Sequence, residues 1–390
     1  MIKPVLSLLL CGLVLLAGCG RAPEAARDAG GGKRLTVALL PKSKGNAYFI
    51  SCRAGAEKAA RALGVELLFD GPTDTDPAKQ NEIIENWITL GVDVIAAACE
   101  NREGISTALR KAQARGIKVI TYDADALPDA RAFFVNQATP EGIGHTLMDE
   151  AARLTNAEGE FAVILSTLTA SNMQEWLKHI RARLAEKYPK MKLVAVRPCD
   201  DQKDKAQAEA TTLMSAHPNL RLLMNICSPA VPGAAEAVKQ AGKAGQVKVI
   251  GLGLPNENRR YVKDGVTDSV ILWKTEDLGA LTVEAAVALA RGALQPGAST
   301  FRTAAGAAYE IKGDQILLGQ PFIFNRGNID SSTSDPRALP PPPPAPRRAG
   351  PARRGQPRHP AGPARCRVGQ APRGLRRRSR PRRGRRAVPR

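Results

Sequence analysis

The sequence is short of the groups that most enzymes use. It holds four histidines in 390 residues. His145, His179 and His217 fall within or at the ends of predicted helices, and His359 lies in an arginine-rich tail. None stands where a general base would face a substrate proton. There is no Gly-x-Ser-x-Gly and no Walker loop, so two common signatures of hydrolases and nucleotide-binding enzymes are missing. "GLGLPN" (251–256) begins like a dinucleotide loop, but Asn256 stands where the third glycine belongs. No Cys-x-x-Cys occurs, which leaves zinc and thioredoxin-type chemistry unsupported. Lysine is absent from residues 331–390, which carry 18 arginines and one acid, Asp335. That tail accounts for +17 of the formal +20 and leaves +3 for the rest, so the body is near neutral.

The tail is built almost wholly from Arg, Pro, Ala and Gly. Such a composition cannot bury a core and predicts disorder. A polybasic segment can bind nucleic acid or anionic lipid. The expectation preferred here is a dispensable segment with the codon composition of read-through in a GC-rich gene, and no nucleic-acid partner.

The amino terminus carries a targeting pattern. Lys3 is followed by an apolar run, Val5 to Leu16, too short for the ~20 residues that span a bilayer. It ends in Leu16-Ala17-Gly18-Cys19, which looks like a bacterial lipoprotein signal. Cleavage would remove residues 1–18 and acylate Cys19, and residues 19–33 would form a tether. Of the other cysteines, Cys52, Cys99, Cys199 and Cys227 are widely spaced. They are expected as small buried hydrophobes, although export leaves disulfides open.

From residue 35 to residue 273, short apolar runs alternate with helical patterns. The runs lie at 35–40, 66–69, 92–98, 118–122, 161–166, 193–197, 220–226, 247–252 and 269–273. Nearly continuous apolarity predicts strands buried on both faces, as in parallel sheets covered by helices. Asp76-Pro77 and Gly91 bracket one helix; Gly116 closes another. Ser171-x-x-Gln174 reads as a capping box. "FFVNQATPEG" (133–142) and Trp273-Lys274 look like breaks between two α/β lobes, followed by a helix over 278–294 and a small β-rich end. In open α/β sheets, ligands sit beyond the carboxyl ends of strands. There "KVITY" delivers Asp123 and Asp125.

Two acids at one strand end suit a catalytic pair, a metal site, a sugar clamp or loop solvation. No base partner faces them, and they are too few hard ligands for a metal. Lys42, Phe49, Asn172, Met173, Ser228, Asn256 and Trp273 fall at other strand ends and loops. Carboxylates and amides take hydroxyl hydrogen bonds, and an aromatic covers a sugar's apolar face. Trp176 is expected in the core.

The stretches "LLPKSKGNAYF", "FDGPTDTDPAKQNEIIENWI", "ITYDAD", "FVNQATPEGIG", "GLPNENRRYVKDG", "ILWKTEDLG" and "QPFIFNRGNID" resemble the type I periplasmic sugar-binding proteins of ABC importers. The similar subgroup holds the rhamnose-binding and autoinducer-2-binding proteins. The resemblance covers residues 35–330 and implies two Rossmann-like, doubly wound lobes joined by three crossovers. It implies a first lobe of 34–136 plus 274–298 and a second of 137–273 plus 299–330. It also implies a small carbohydrate ligand, no cofactor, no catalysis and a membrane permease as partner. Lys42 and Asp123 match ligand-touching positions of the autoinducer-2 proteins. Asn172-Met173 stands where those proteins have an Asp-Gln pair and the rhamnose type has Asn-Gln. Ile226 and Ser228 replace their Pro and Ala. The expected ligand is a monosaccharide, a rhamnose-like deoxy sugar or similar polyol, with autoinducer-2 as the alternative. A sugar-responsive regulator would need a helix-turn-helix where the lipobox lies.

Overall fold

A computed structural model describes residues 33–331. The signal segment, Cys19, the tether up to residue 32 and the tail from residue 332 lie outside the described residues. Chain order begins β1 (Thr36–Leu40), α1 (Ala47–Leu63), β2 (Glu66–Phe69), α2 (Pro77–Leu90), β3 (Val94–Ala97), α3 (Arg102–Ala114), β4 (Lys118–Tyr122) and β5 (Phe133–Asn136). It continues with α4 (Pro140–Thr155), β6 (Gly159–Leu165), α5 (Ser171–Lys187), β7 (Met191–Pro198), α6 (Lys203–Ala216), β8 (Leu220–Asn225), α7 (Ala230–Gln240), β9 (Lys248–Leu252), α8 (Pro255–Lys263) and β10 (Ser269–Leu272). The chain then forms α9 (Thr275–Ala290), β11 (Thr300–Arg302), β12 (Ala308–Lys312), β13 (Gln315–Leu317) and β14 (Phe322–Asn325).

Two sheets result. The first runs β11-β12-β13-β5-β4-β3-β1-β2 and the second β14-β10-β9-β8-β6-β7. Within each, five strands are parallel and follow the same order: second, first, third, fourth, fifth. The central strands β1 and β3 are buried along their whole length. The edge strands β2 and β7 are only partly covered. This is the doubly wound pattern that continuous apolar runs predict. The chain passes between lobes after β5, after β10 and after β13.

Local signals act as the sequence suggests in several places. The Asp76 side chain accepts from the N–H groups of Ala78 and Lys79, Pro77 opens α2, and Gly91 ends it in the left-handed conformation. Thr139 caps α4 by accepting from Gly142 N–H. Glycine matters most where α1 meets α9. A Cβ on Gly55 would lie 1.8 Å from the Glu276 carbonyl oxygen, and one on Gly279 would lie 1.8 Å from that of Cys52. The two helices touch backbone to backbone, so no side chain fits between them.

Three expectations need correction. Residues 133–136 are not merely a break but strand β5, the fifth parallel strand of the first sheet. Residues 299–330 do not all join the second lobe. β11, β12 and β13 extend the first sheet through the pairing of β13 with β5, and only β14 pairs with β10. These partners are far apart in sequence, so no local pattern announces them. Finally, Ser171 is not a cap: α5 begins after Ala170 with no side-chain cap bond, and the Asn172 side chain instead accepts from Met173 N–H.

Candidate functional site

The carboxyl ends of both sheets face one another across a small cavity. The first lobe contributes Lys42 after β1, Tyr48 and Phe49 from the first turn of α1, and Asp123 after β4. The second lobe contributes Asn172 and Met173 at the start of α5, Asp201 after β7, and Ile226 and Ser228 after β8. Trp273, at the second crossover, completes the wall with Trp176.

Asp123 is the centre of the polar side. Its backbone is left-handed, with φ 60°. Ala124 N–H donates to the Tyr122 carbonyl at 2.6 Å across it, the i to i+2 bond of a γ-turn, a conformation rare for a residue with a Cβ. The turn lifts the carboxylate off the strand axis. The Tyr48 hydroxyl donates to Oδ1 at 2.9 Å, and Trp273 Nε1 donates to that same hydroxyl at 2.9 Å. Among the described residues no hydrogen bond reaches Oδ2, which lies 3.5 Å from Lys42 Nζ in a buried ion pair. Burial alone would lower the Lys42 pKa, but the charges of Asp123, Glu100 and Asp201 outweigh it and raise it. The amine therefore stays protonated. Burial, reinforced by Asp123, pushes the Tyr48 phenol well up, so it remains a donor.

Several bonds join the lobes around this centre. Asn46 Nδ2 donates to Asp201 Oδ2 at 2.7 Å, and the Ser228 hydroxyl donates to Asn46 Oδ1 at 3.0 Å. Lys42 Nζ donates to Asn172 Oδ1 at 3.4 Å. At the rim the Thr167 hydroxyl donates to Glu100 Oε1 at 2.6 Å. The lobes are closed on each other. Burial pushes the Asp201 carboxyl up, against the opposing pull of Lys42 and the Asn46 hydrogen bond.

The rest of the lining is aromatic and aliphatic. Tyr48 packs edge-on against Phe49, with ring centres 5.0 Å apart, and against Trp273 at 6.1 Å. Trp176 lies 6.2 Å from Trp273. Ile226, Leu252 and Leu272 add aliphatic surface. The lining thus offers carboxylate, ammonium, amide and hydroxyl groups together with aromatic and aliphatic surface. Such a chamber can seat a small polyhydroxylated molecule.

The structure brings together Lys42, Phe49, Asp123, Asn172, Met173, Ile226, Ser228 and Trp273. It does not bring Asp125 or Asn256. Asp125 accepts from Thr121, from Ala126 N–H at 2.9 Å and from both Arg131 Nε (3.0 Å) and Nη2 (2.7 Å). Arg131 also pairs with Asp314. Every oxygen of Asp125 is engaged, so it ties the loop rather than the cleft. Asn256 turns its oxygen to Arg259 at the start of α8. Sequence reasoning missed Asp201 entirely; Trp176 is buried in the core as expected and also lines the cavity. The rule that strand ends carry the site would have found Asp201, because "RPCDD" (197–201) ends β7 just as "TYDAD" (121–125) ends β4.

A family model described as a periplasmic binding protein domain matches residues 37–294. A D-ribose/D-allose-binding protein of Pseudomonas aeruginosa is 29% identical over 265 residues, which is 66% of this chain and 82% of that protein. A solved ABC-transporter solute-binding protein from Clostridium phytofermentas, with L-rhamnose bound, matches with a TM-score of 0.74 at 29% identity, over 77% of this chain and 98% of its own. LsrB from Clostridium saccharobutylicum, in complex with AI-2, shares the fold with a TM-score of 0.73 at 24% identity, over 76% and 99% of the two chains.

Proposed function

We propose, because the chain belongs to the periplasmic binding protein family, that it captures a neutral monosaccharide between its lobes and hands it to an ABC permease without chemical change. The observation that carries this reading is the mixed lining of the cavity, in which Asp123 is held by Lys42 and Tyr48 among aromatic and aliphatic side chains. Asp123 Oδ2 is free to accept a ligand hydroxyl, and Lys42 and Asn172 are placed to donate. Each charge-assisted bond of this kind contributes about 1.5–3 kcal/mol once water is excluded. Ile226, Leu252 and Leu272 suit an alkyl substituent on the ring, which favours a rhamnose-like deoxy sugar. Met173 departs from the rhamnose type and the autoinducer-2 type alike. Its sulfur lies 3.3 Å from Ser166 N and Oγ, so this position supplies bulk rather than the amide of an Asn-Gln pair.

A thermal-shift screen tests the reading. Deoxyhexoses, pentoses, D-allose and autoinducer-2 are compared at a hundredfold excess over each dissociation constant. The bound sugar adds about 2.7 kcal/mol, which raises Tm by roughly 5 °C for a domain of this size. A response to a deoxyhexose supports the preferred ligand, and one to autoinducer-2 alone supports the alternative. No shift with any member removes the sugar-binding reading.

The export part of the proposal rests on the lipobox. Among the described residues no helix is long and apolar enough to cross a membrane; attachment through Cys19 rests on the Leu16-Ala17-Gly18-Cys19 pattern alone. Cys19→Ser should move the protein from the membrane fraction to the soluble fraction. Unchanged partitioning would remove the anchor.

A further inference from the structure

Cys199 and Cys227 sit on the two loops that bring Asp201 and Ser228 to the cavity. Cys199 follows β7 directly, and Cys227 lies two residues beyond β8. These strands are not neighbours, because β6 runs between them. Both loops fold over the carboxyl end of β6. Cys199 N–H donates to the Leu165 carbonyl at 2.9 Å, and Ile226 N–H donates to that of Ile164 at 2.8 Å. This arrangement brings the two sulfurs to 3.4 Å from each other, with both residues buried. Cys99, by contrast, turns its thiol to the Ala97 carbonyl at 3.8 Å.

We propose that Cys199 and Cys227 form a disulfide in the exported protein, covalently joining the loop of Asp201 to the loop of Ser228. The sulfurs need to approach by about 1.4 Å to reach bonding distance. Exported proteins meet the oxidising conditions under which such bonds persist. The oxidant is a disulfide-bearing thiol compound or oxidoreductase. One cysteine thiolate attacks it, forming a mixed disulfide and expelling one thiol. The second thiolate then attacks the protein-bound sulfur, which closes the Cys199–Cys227 bond and expels the second thiol. The two cysteines lose two protons and two electrons, and the oxidant's disulfide gains them as two thiols. Burial, together with the contact from Cys199, raises the Cys227 thiol well above its ordinary value. Once folded, Cys227 is therefore a poor nucleophile, and the bond forms while the loops are still opening and closing.

The setting rests on the export proposed above, whereas the pairing rests on geometry alone. The full chain is expressed in a bacterial host, fractionated, trapped with iodoacetamide in denaturant and mapped by mass spectrometry. A second sample of purified full chain is refolded with oxidised glutathione. Peptides carrying Cys199 and Cys227 should appear linked, two hydrogens lighter than their sum, with Cys52 and Cys99 alkylated. The oxidised protein should melt about 5 °C above the same protein reduced with dithiothreitol. The Cys199→Ser/Cys227→Ser double variant should show no such difference. Alkylation of both cysteines in the exported chain, or linkage of either to another cysteine, overturns the proposal. If fractionation finds the chain retained inside the cell, the export reading fails and the glutathione sample alone decides the pairing.

Discussion

Asp125→Ala is expected to lower the unfolding free energy by ~3 kcal/mol and to leave sugar affinity close to that of the parent. The carboxylate is buried and accepts four hydrogen bonds, two of them from a guanidinium that is itself only 2% exposed. Breaking a buried pair by removing one partner typically costs about 3–5 kcal/mol. The low end applies because Asp314, 44% exposed, still faces Arg131. Urea unfolding with unchanged m-value measures the loss. Asp125→Asn keeps an acceptor for Ala126 N–H and Thr121 but removes the charge, so it should fall between parent and Ala variant. A midpoint for Asp125→Ala within error of the parent would show that Arg131 is satisfied elsewhere.

The second large effect is on binding. Asp123→Ala should weaken the sugar identified by screening about 30- to 1,000-fold, a loss of about 2–4 kcal/mol. Removal strands the Lys42 charge and the Tyr48 hydroxyl as well as the ligand hydroxyls. Alanine also tolerates the left-handed backbone of this γ-turn poorly, whereas Asp and Asn adopt it more readily. Asp123→Asn therefore separates the two contributions. It preserves the turn but trades one accepting oxygen for a donor that faces the Lys42 ammonium. Calorimetry on both variants, with circular dichroism melts, makes the comparison. Parental affinity in the Asn variant would mean that the carboxylate shapes the loop and does not hold the sugar.

Most of the architecture was legible because its causes are local. Nine apolar runs became nine strands of the two parallel sheets, since burial on both faces leaves its mark in every residue of a run. Asp76, Pro77 and Gly91 set the ends of α2 through bonds within their own turns. What escaped were features made by distant partners. β5 is four residues long, and its neighbour β13 lies some 180 positions away, so "FFVN" looked like the end of a lobe. The site divides the same way. Lys42 and Asp123 stand directly at strand ends. Asp201 was not singled out, because its partner Asn46 lies on the other lobe, 155 positions away. Asn256 also follows a strand, but the neighbouring Arg259 on its own helix takes its side chain. A strand-end position therefore nominates a residue, and the hydrogen bonds nearest to it decide whether it faces the ligand.

Asn46 holds a consequence for the rate at which the cleft works. Its Oδ1 accepts from Tyr48 N–H as the cap of α1, while the same amide group meets Asp201 and Ser228 on the other lobe. Were the lobes to part, the two bonds across the cleft would be lost and the cap would remain. A cap that survives opening would hold the side chain in one rotamer, so closure would regain its contacts without the entropy cost of freezing a loose amide. Tyr48 follows two positions later on the same capped turn, so the phenol that orients Asp123 inherits this stiffness. In an opened cleft, Asn46 and Tyr48 would thus already be set by the cap of their own helix.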